Sequence, residues 1–598
     1  MAVPSFNELL VPLGRLVRLL HPGQRRDAWF LLLLMIIGMG FETLGVGLVI
    51  PALALLTQAD LQANYPSLAP AMAWLGNPDP ARLLVIGMTV LVAVYGAKAL
   101  FLAYLTWRQA RFVFDLQAGL SQSLFKVYLS QPYTFHLQRN SAQLIRNAIG
   151  QVSDVTNVVQ QGMLFLTELL VMVGILVLLL SIEPLGALLA FSTLGAAVLG
   201  FGYLTRGYLQ RWGIARQFHE GLRIQHLQQG LGGAKDAILL GREHNFLRQY
   251  EEHNQGTARV GKRQMVLQAL PRLWLEFLAI LGLAVIVFIS LAQGKPMELL
   301  LPTVGLFAAA AFRITPSINR LLIAVQNVRY SLPAIENICA ELNLGSTAVK
   351  TEQKHDSISF REQVVVSALT FSYPGASRPS LQGVDVSIAS GTSVGIIGGS
   401  GAGKSTLVDS LLGLLTPENG KVTVDGIDIR CCLRAWQDLI GYVPQSVFLT
   451  DDSLRRNVAF GLPDEQIDED AVWRALRAAQ MESFVKALPD GLETTVGERG
   501  INISGGQRQR IGIARALYHD PAVLVLDEAT SSLDVQTEAK IMEAVQSLHG
   551  EKTIIIVAHR LSTVEQCDQI YRLENGKVVE VGSASAVLRK TDTPASEA

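Results

Sequence analysis

The chain has 598 residues, of which 49% are hydrophobic and 17% are charged, and its mean hydropathy is +0.32. A soluble protein of ordinary composition is less apolar than this, and the apolar excess lies before about residue 330. The net charge of -1 gives no global field that would attract nucleic acid, so we expect no such partner. The four cysteines lack metal-ligand spacing. The composition therefore indicates a membrane half followed by a soluble half.

Six apolar stretches in the first half are each long enough for the ~20 residues that cross a bilayer. They are Trp29–Leu56, Leu83–Trp107, Met163–Ile182, Leu185–Leu204, Leu273–Leu291 and Leu299–Leu322. We therefore predict six transmembrane helices.

Basic residues indicate the orientation of these helices. They cluster before the first stretch and in the second-to-third and fourth-to-fifth connections, whereas Thr57–Pro80 has no Lys or Arg. Because cytoplasmic segments carry the excess of Lys and Arg, the N-terminus, both connections and the soluble half are predicted to be cytoplasmic. The amphipathic, basic stretch Phe6–Leu20 is predicted to lie along the inner membrane surface.

The two cytoplasmic connections, Gln109–Val158 and Gly207–Gln268, are rich in helix formers. We predict that the transmembrane helices continue through them, with short bends near Ser130–Arg139 and Leu231–Arg242. Two small soluble helical hairpins are the alternative.

After a polar linker the pattern becomes β-rich, and "TSVGIIGGSGAGKSTL" predicts a strand, a glycine loop and a helix start. Glycines let backbone N–H groups surround phosphates, and the helix N-terminus favours an anion. Lys404 is expected to reach the β- and γ-phosphates and Ser405 to bind Mg²⁺. The residues predicted to bind ATP here are Gly398, Gly399, Ser400, Gly401, Ala402, Gly403, Lys404, Ser405 and Thr406.

A second chemical motif is "AVLVLDEATSSLD", in which a buried strand ends in two carboxylates. Asp527 is placed to bind Mg²⁺ through water, and Glu528 is placed to polarise the water that attacks the γ-phosphate. An acidic pair that only caps a helix is the alternative.

The order of motifs over Val364–Val587 resembles the nucleotide-binding domain of ABC transporters. Those motifs are Tyr373, the glycine loop, Gln445 in "YVPQ", "ISGGQ", "LVLDEAT", "SSLD" and His559 in "IVAHR". Six predicted spans before one such domain resemble a half-transporter with the type IV exporter arrangement. The resemblance implies an α-helical six-span transmembrane domain followed by an α/β P-loop domain with a RecA-like core and a helical subdomain.

The implied division is a membrane domain at 1–344, a linker at 345–362, an ATP-binding domain at 363–587 and a flexible tail at 588–598. The implied location is a bacterial inner membrane, with the ATP-binding domain in the cytoplasm.

The resemblance also implies roles for single residues. Tyr373 would stack on adenine, Gln445 would bind Mg²⁺ and link the site to the membrane domain, and His559 would hold the γ-phosphate. Asp534 would orient the neighbouring active site. Ile503 stands where leucine is usual, an apolar exchange that leaves these implications intact.

In this family the "SGGQ" segment closes over the ATP of a second copy. Its residues here are Ser504, Gly505, Gly506 and Gln507. The implied partner is therefore a second copy of the chain, with two shared ATP sites; a heterodimer with a degenerate partner is left open.

The membrane half resembles PglK-type flippases, which move a polyisoprenyl-pyrophosphate-linked oligosaccharide across the inner membrane. The resemblance rests on "FETLGVGLVIPAL", the external loop that follows it, and Arg313 and Arg320 in the last span. It implies that these two arginines bind pyrophosphate. Alternatively, Arg313 pairs with Glu276 and Arg320 extends to the inner surface. A lipid A exporter and a multidrug exporter are alternatives in the same class; a gated channel and a non-transport ABC ATPase belong to other classes.

Overall fold

The computed structural model describes residues 14, 21–48, 80–182, 184–292, 297–347, 358–497, 500–529, 535–558 and 560–591. Contacts divide the chain into two compact units. The first unit comprises Met1–Gln131 and Arg139–Ala348, and the second comprises Pro132–Gln138 and Val349–Ala598. A short segment from the first predicted bend therefore belongs with the soluble half.

The first unit is helical. Its helices are α1 (Pro22–Gly47), α2 (Pro80–Leu129), α4 (Ser141–Arg146), α5 (Val152–Ile182), α6 (Pro184–Gly232), α7 (Ala234–Leu239), α8 (Glu243–Ala292) and α9 (Met297–Thr347); α3 (Tyr133–Gln138) belongs to the second unit. Helix α2 has 50 residues, about 75 Å at 1.5 Å per residue, which exceeds the ~30 Å hydrocarbon core. One unbroken helix thus runs through the first part of the second-to-third connection, and the cytoplasmic position of that extension stays a prediction.

Four helical segments in the described part of the chain are long and apolar enough to cross a membrane. They are Pro22–Gly47, Leu84–Leu129, Ser141–Ser181 and Glu243–Gly282. The count of six spans stays a prediction. The predicted external loop apart from Pro80, and the stretch Phe6–Leu20 apart from Gly14, lie outside the described residues.

Both predicted bends are confirmed as breaks between long helices. Helix α3 occupies the first bend and α7 the second. A five-residue π-helical segment, Asn147–Gln151, joins α4 to α5, and the hydroxyl of Ser121 on α2 donates to the Ala148 carbonyl within it (2.7 Å). Such segments interrupt the regular hydrogen-bond ladder of a helix.

Small residues set the spacing between helices of the first unit. A Cβ at Gly174 on α5 would lie 2.2 Å from Oγ1 of Thr43 on α1. A Cβ at Gly213 on α6 would lie 2.3 Å from the Tyr330 carbonyl oxygen on α9. Because neither position carries a side chain, the two helices of each pair approach closely.

The second unit contains two sheets and a group of short helices. Its elements in chain order are β1 (Gln363–Phe371), β2 (Leu381–Ala389), β3 (Ser393–Gly398), α10 (Lys404–Leu411), β4 (Asn419–Val424), β5 (Ile427–Asp428), α11 (Leu433–Asp438), β6 (Ile440–Val443), α12 (Leu454–Val458), α13 (Glu469–Ala478), α14 (Glu482–Lys486), α15 (Gly505–Leu517), β7 (Val523–Asp527), α16 (Val535–Gln546), β8 (Thr553–Val557), β9 (Gln569–Glu574), β10 (Lys577–Gly582) and α17 (Ala584–Thr591).

One sheet has the order β2-β1-β4-β5 and is antiparallel. The other has the order β10-β9-β3-β8-β7-β6, and its strands from β9 to β6 are parallel. Parallel strands buried on both faces read as apolar runs, and all five residues of β7 and of β8 are buried. Because parallel strands end at one edge of a sheet, this order brings the loops after β3, β6, β7 and β8 together.

Two helices pass the predicted domain limits. Helix α9 runs to Thr347, beyond residue 344, and α17 runs to Thr591, beyond residue 587. The predicted flexible tail therefore begins with helical residues, and Val587 beside it is buried.

Candidate nucleotide-binding site

The glycine loop connects β3 to α10 through backbone shapes that only glycine tolerates. Gly398 has φ +154° and Gly403 has φ +101°. A Cβ at Gly398 would lie 2.3 Å from the Leu573 carbonyl oxygen, and one at Gly403 would lie 2.7 Å from that of Ser380. Side chains are excluded at both positions, and turns of this kind can present successive backbone N–H groups to an anion.

Lys404 begins α10 and is buried at the base of this loop. Its Nζ donates to the carbonyl oxygens of Gly398 (2.9 Å) and Gly399 (3.2 Å). These contacts hold the ammonium group beside the helix N-terminus, so a positive charge and a helix dipole favour an anion at the same place.

The loop forms one wall of a cleft with a volume of about 630 Å³. The described residues that line it are Tyr373, Arg378, Pro379, Ser380, Gln382, Ser400, Gly401, Ala402, Gly403, Lys404, Ser405, Thr406, Gln445, Glu528, Asn575 and Gly576. The Tyr373 hydroxyl lies 3.4 Å from Oγ1 of Thr406. These groups suit a nucleotide. The aromatic ring suits the base, and the backbone N–H groups and cations suit the phosphates.

Two carboxylates stand at the end of β7. Asp527 is buried, and the Tyr442 hydroxyl lies 3.5 Å from its Oδ2. Glu528 follows in a left-handed backbone conformation with φ +49°, which is uncommon for a residue with a side chain and costs energy. Its N–H donates to the Val557 carbonyl (3.0 Å), and Nε2 of Gln445 donates to its Oε2 (2.7 Å). The loop after β6 thus fixes the carboxylate of the loop after β7.

The carboxylates of Asp409 and Asp527 repel each other near the end of β7. Burial and the charge of Asp527 raise the pKa of Asp409, on α10, to about 6. Burial and the same carboxylate raise the pKa of Tyr442 well above its usual value. A cation at Asp527 would relieve this repulsion.

The oxygen atoms around this place suit Mg²⁺. Ser405 and Gln445 line the cleft and offer a hydroxyl and an amide oxygen, and Asp527 at the end of β7 offers a carboxylate. Mg²⁺ prefers oxygen ligands and retains several waters. Ser405 begins α10 beside Lys404, and Gln445 lies within hydrogen-bonding distance of Glu528. The residues present therefore fit the ion.

The "SGGQ" segment lies elsewhere on the surface of the unit. Ser504 caps α15: its Oγ accepts from the Gln507 N–H (3.2 Å), and Oε1 of Gln507 accepts from the Ser504 N–H (2.8 Å). This capping box fixes the first turn, while Ser504 and Gly505 are exposed. Among the described residues that line the cleft, none belongs to Ser504–Gln507.

Comparison with known proteins also finds a membrane region followed by a nucleotide-binding region. Residues 53–309 match the model of the ABC transporter transmembrane region, and residues 381–531 match that of the ABC transporter. An ATP-dependent lipid A-core flippase of Thiobacillus denitrificans is 30% identical over 516 residues, which are 85% of this chain and 86% of that protein. A protein of the same name from Cupriavidus metallidurans is 32% identical over 477 residues, 79% of each chain.

The chain belongs to the ABC transporter family. Its fold matches a solved structure of a bacterial Atm1-family ABC exporter with ATP bound, with a TM-score of 0.78, 22% identity and coverage of 96% of this chain and 99% of that one. This ABC transporter binds ATP in the second unit and uses its hydrolysis to drive transport.

The described part of the ABC transporter brings together most of the predicted ATP-site residues. The glycine loop, Tyr373, Gln445 and Glu528 line one cleft. Asp534 and His559 lie outside the described residues.

Charged residues of the predicted spans have partners that the sequence did not indicate. The Nε of Arg320, on α9, lies 2.5 Å from Oε1 of the buried Glu168 on α5. Arg320 therefore has an acidic partner on α5, and its extension to the inner surface stays an alternative. Glu276 pairs with Arg272 on the same helix (2.8 Å), and the side chain of Arg313 is outside the described residues.

Sequence reasoning also missed residues of the second unit near the nucleotide cleft. Burial raises the pKa of Tyr133, on α3, and electrostatic interactions with Asp409 and Tyr373 add to the shift. Tyr133 and Asp409 stand in no recognisable motif. For Tyr133, the sequence indicated only that residues 130–139 interrupt a helix.

Proposed function

We propose that this ABC transporter is an ATP-driven lipid flippase of the bacterial inner membrane and that its cargo is a lipid of the lipid A-core class. The observation that carries the proposal is the 30% identity over 85% of the chain to a protein named ATP-dependent lipid A-core flippase. The similarity spans both the membrane region and the ATP-binding region.

The cargo class explains why ATP is needed. A charged, hydrated lipid headgroup cannot enter hydrocarbon without losing its hydrogen bonds, which costs several kcal/mol or more. A polar path through a protein lowers that barrier, and coupled ATP hydrolysis gives the movement a direction.

The ATP sites are proposed to lie between two copies of the chain. The phosphate loop of one copy would hold the nucleotide, and the α15 N-terminus of the other would cover it. Two observations support this arrangement: Ser504 and Gly505 are exposed, and neither is among the described residues that line the cleft of their own chain. Because the chain carries Glu528, His559 and Ser504, both sites of a homodimer would be complete.

Within each site, Glu528 is proposed to polarise the attacking water, and Gln445 to hold that carboxylate through the 2.7 Å hydrogen bond. Tyr373 would stack on adenine, His559 would contact the γ-phosphate, and Asp534 would contact the other copy. Mg²⁺, held by Ser405, Gln445 and Asp527, would neutralise phosphate charge when bound.

A lipid-linked oligosaccharide has less support as cargo. That hypothesis needs Arg313 and Arg320 as cations for a pyrophosphate, and the charge of Arg320 is already balanced by Glu168 at 2.5 Å. The named relatives also favour lipid A-core.

The test is ATPase activity of the purified chain in nanodiscs, with one added compound at a time. Lipid A-core should stimulate turnover, whereas a polyisoprenyl-pyrophosphate oligosaccharide and a cationic amphipathic drug should not. Lys404→Ala, which removes the phosphate-binding cation, is the background control. Stimulation by the oligosaccharide or the drug, with none by lipid A-core, would overturn the assignment.

A further inference from the structure

Three histidine rings meet between α6 and α8, within the first unit. Nδ1 of His219, on α6, lies 3.1 Å from Nδ1 of His253, on α8. The ring of His226, two turns further along α6, stacks on that of His253 with centroids 5.3 Å apart and planes at 9°. Along α8, His253 precedes the apolar stretch at Leu273 by about 30 Å at 1.5 Å per residue.

The packing around these rings restricts their orientation. A Cβ at Gly256 on α8 would lie 2.6 Å from Nδ1 of His219, so only glycine leaves room for the ring. The Phe218 ring meets His253 edge-on, with centroids 6.0 Å apart. Nδ1 of His226 is buried and has no hydrogen-bond partner among the described residues.

Two imidazole nitrogens at this distance need a proton or a metal ion between them. A neutral imidazole has one donor nitrogen and one acceptor nitrogen, so the pair shares either a proton or a metal ion. Zn²⁺–N bonds are about 2.0–2.1 Å long, and two nitrogens 3.1 Å apart would subtend about 98° at such an ion. That angle lies between the ~90° of square or octahedral sites and the ~109° of tetrahedral sites.

We propose that His219 and His253 bind one divalent transition-metal ion through their Nδ1 atoms and thereby link α6 to α8. Imidazole nitrogen suits Zn²⁺, Cu²⁺ and Ni²⁺, whereas Mg²⁺ and Ca²⁺ prefer oxygen. The ion would use the neutral rings, so acid competes with binding.

Nearby charged groups complete no further ligand set. On α6, Glu220 pairs with Arg216 (3.4 Å) and with Arg223 (3.9 Å), and Arg223 donates to Asn254 on α8 (3.4 Å). In the described part of the chain, no three His, Cys, Asp or Glu side chains converge as a metal-binding group. Water would therefore fill the remaining coordination positions.

The test uses the full chain without a purification tag, in nanodiscs, with Zn²⁺ measured by equilibrium dialysis and elemental analysis. One zinc ion should bind per chain, and His219→Ala or His253→Ala should each abolish this binding. His244→Ala, at an exposed position on the same helix α8, is the matched control and should bind zinc as the wild type does.

A second measurement does not depend on whether those variants fold. Cu²⁺ added to the wild-type chain should give an electron paramagnetic resonance spectrum with two equatorial imidazole nitrogens, and Gly256→Ala, which displaces the His219 ring, should weaken that signal. Absence of zinc binding by the wild type, unchanged binding by both alanine variants, or a copper spectrum with fewer than two imidazole nitrogens would overturn the proposal.

Discussion

Gln445 donates from its Nε2 to Oε2 of Glu528 over 2.7 Å, and this contact ties the loop after β6 to the carboxylate after β7. The Glu528 backbone is left-handed, with φ +49°, and its carbonyl accepts from Nε2 of Gln509 on α15 (3.3 Å). The Glu528 N–H also donates to the Val557 carbonyl of β8 (3.0 Å), so three segments contact this one residue. Such over-determination keeps a strained residue in place, and strain of this kind clusters at catalytic sites.

Glu528→Gln is expected to block hydrolysis while preserving ATP binding. The amide keeps the size of the side chain but cannot accept a proton from water, and loss of a positioned base costs ~10²-fold or more. Steady-state ATPase activity and nucleotide binding by the purified protein check this. Glu551→Gln, at an exposed position of the same unit, should keep full activity. Near-normal turnover by Glu528→Gln would contradict the role of the carboxylate.

Shared ATP sites predict different results for lesions in one chain and in two. When one copy carries Lys404→Ala and the other Ser504→Ala, both lesions fall on the same site and the second site is intact. When one copy carries both changes and its partner is wild type, each site has one lesion. ATPase activity of doubly tagged dimers should therefore be higher in the first arrangement. Equal activity in the two arrangements would argue against sites made by two chains.

Asp409→Asn is expected to raise the unfolding temperature more at pH 7.5 than at pH 5. Burial and Asp527 raise the pKa of Asp409 from 3.8 to about 6 in the folded chain, so its ionisation opposes folding increasingly as pH rises between these values and fully above about pH 6. Thermal unfolding without nucleotide or Mg²⁺ measures this. Asp490→Asn, at an exposed position, should show no such pH difference, and a gain by Asp409→Asn that is larger at pH 5 would refute the expectation.

Gly174→Ala is expected to destabilise the membrane unit. Its Cβ would lie 2.2 Å from Oγ1 of Thr43, and overpacking of this kind typically costs about 1–3 kcal/mol. Gly162→Ala on the same helix, which has no atom within 4 Å of the added Cβ, should be neutral or stabilising. Adding Thr43→Ala should restore the unfolding temperature of Gly174→Ala in nanodiscs; failure of that rescue would mean the loss has another origin.

Sequence reasoning was most informative where a local motif dictates a local shape. The glycines of the phosphate loop and the buried run before Asp527 predicted a strand, a turn and a helix start, all of which are present. The Gln445–Glu528 contact depends on which strands are neighbours, which the motifs do not encode.

Long-range contacts between helices could not be predicted in the same way. Arg320 and Glu168 lie far apart in the chain, and the apolar pattern of α5 and α9 does not indicate which faces of the two helices meet. His219 and His253 likewise match no spacing pattern because they lie on different helices. Tertiary packing decides such pairs, and one sequence contains no record of it.

The measurement that tests the account most directly is transbilayer movement of lipid A-core labelled on its sugar. Proteoliposomes containing the wild-type chain are given ATP and Mg²⁺, and label exposed at the outer surface is followed with a membrane-impermeant quencher. The account predicts ATP-dependent movement by the wild type and none by Glu528→Gln, with a lipid-linked oligosaccharide left unmoved. Equal movement without ATP, or movement of the oligosaccharide with lipid A-core left behind, would contradict it.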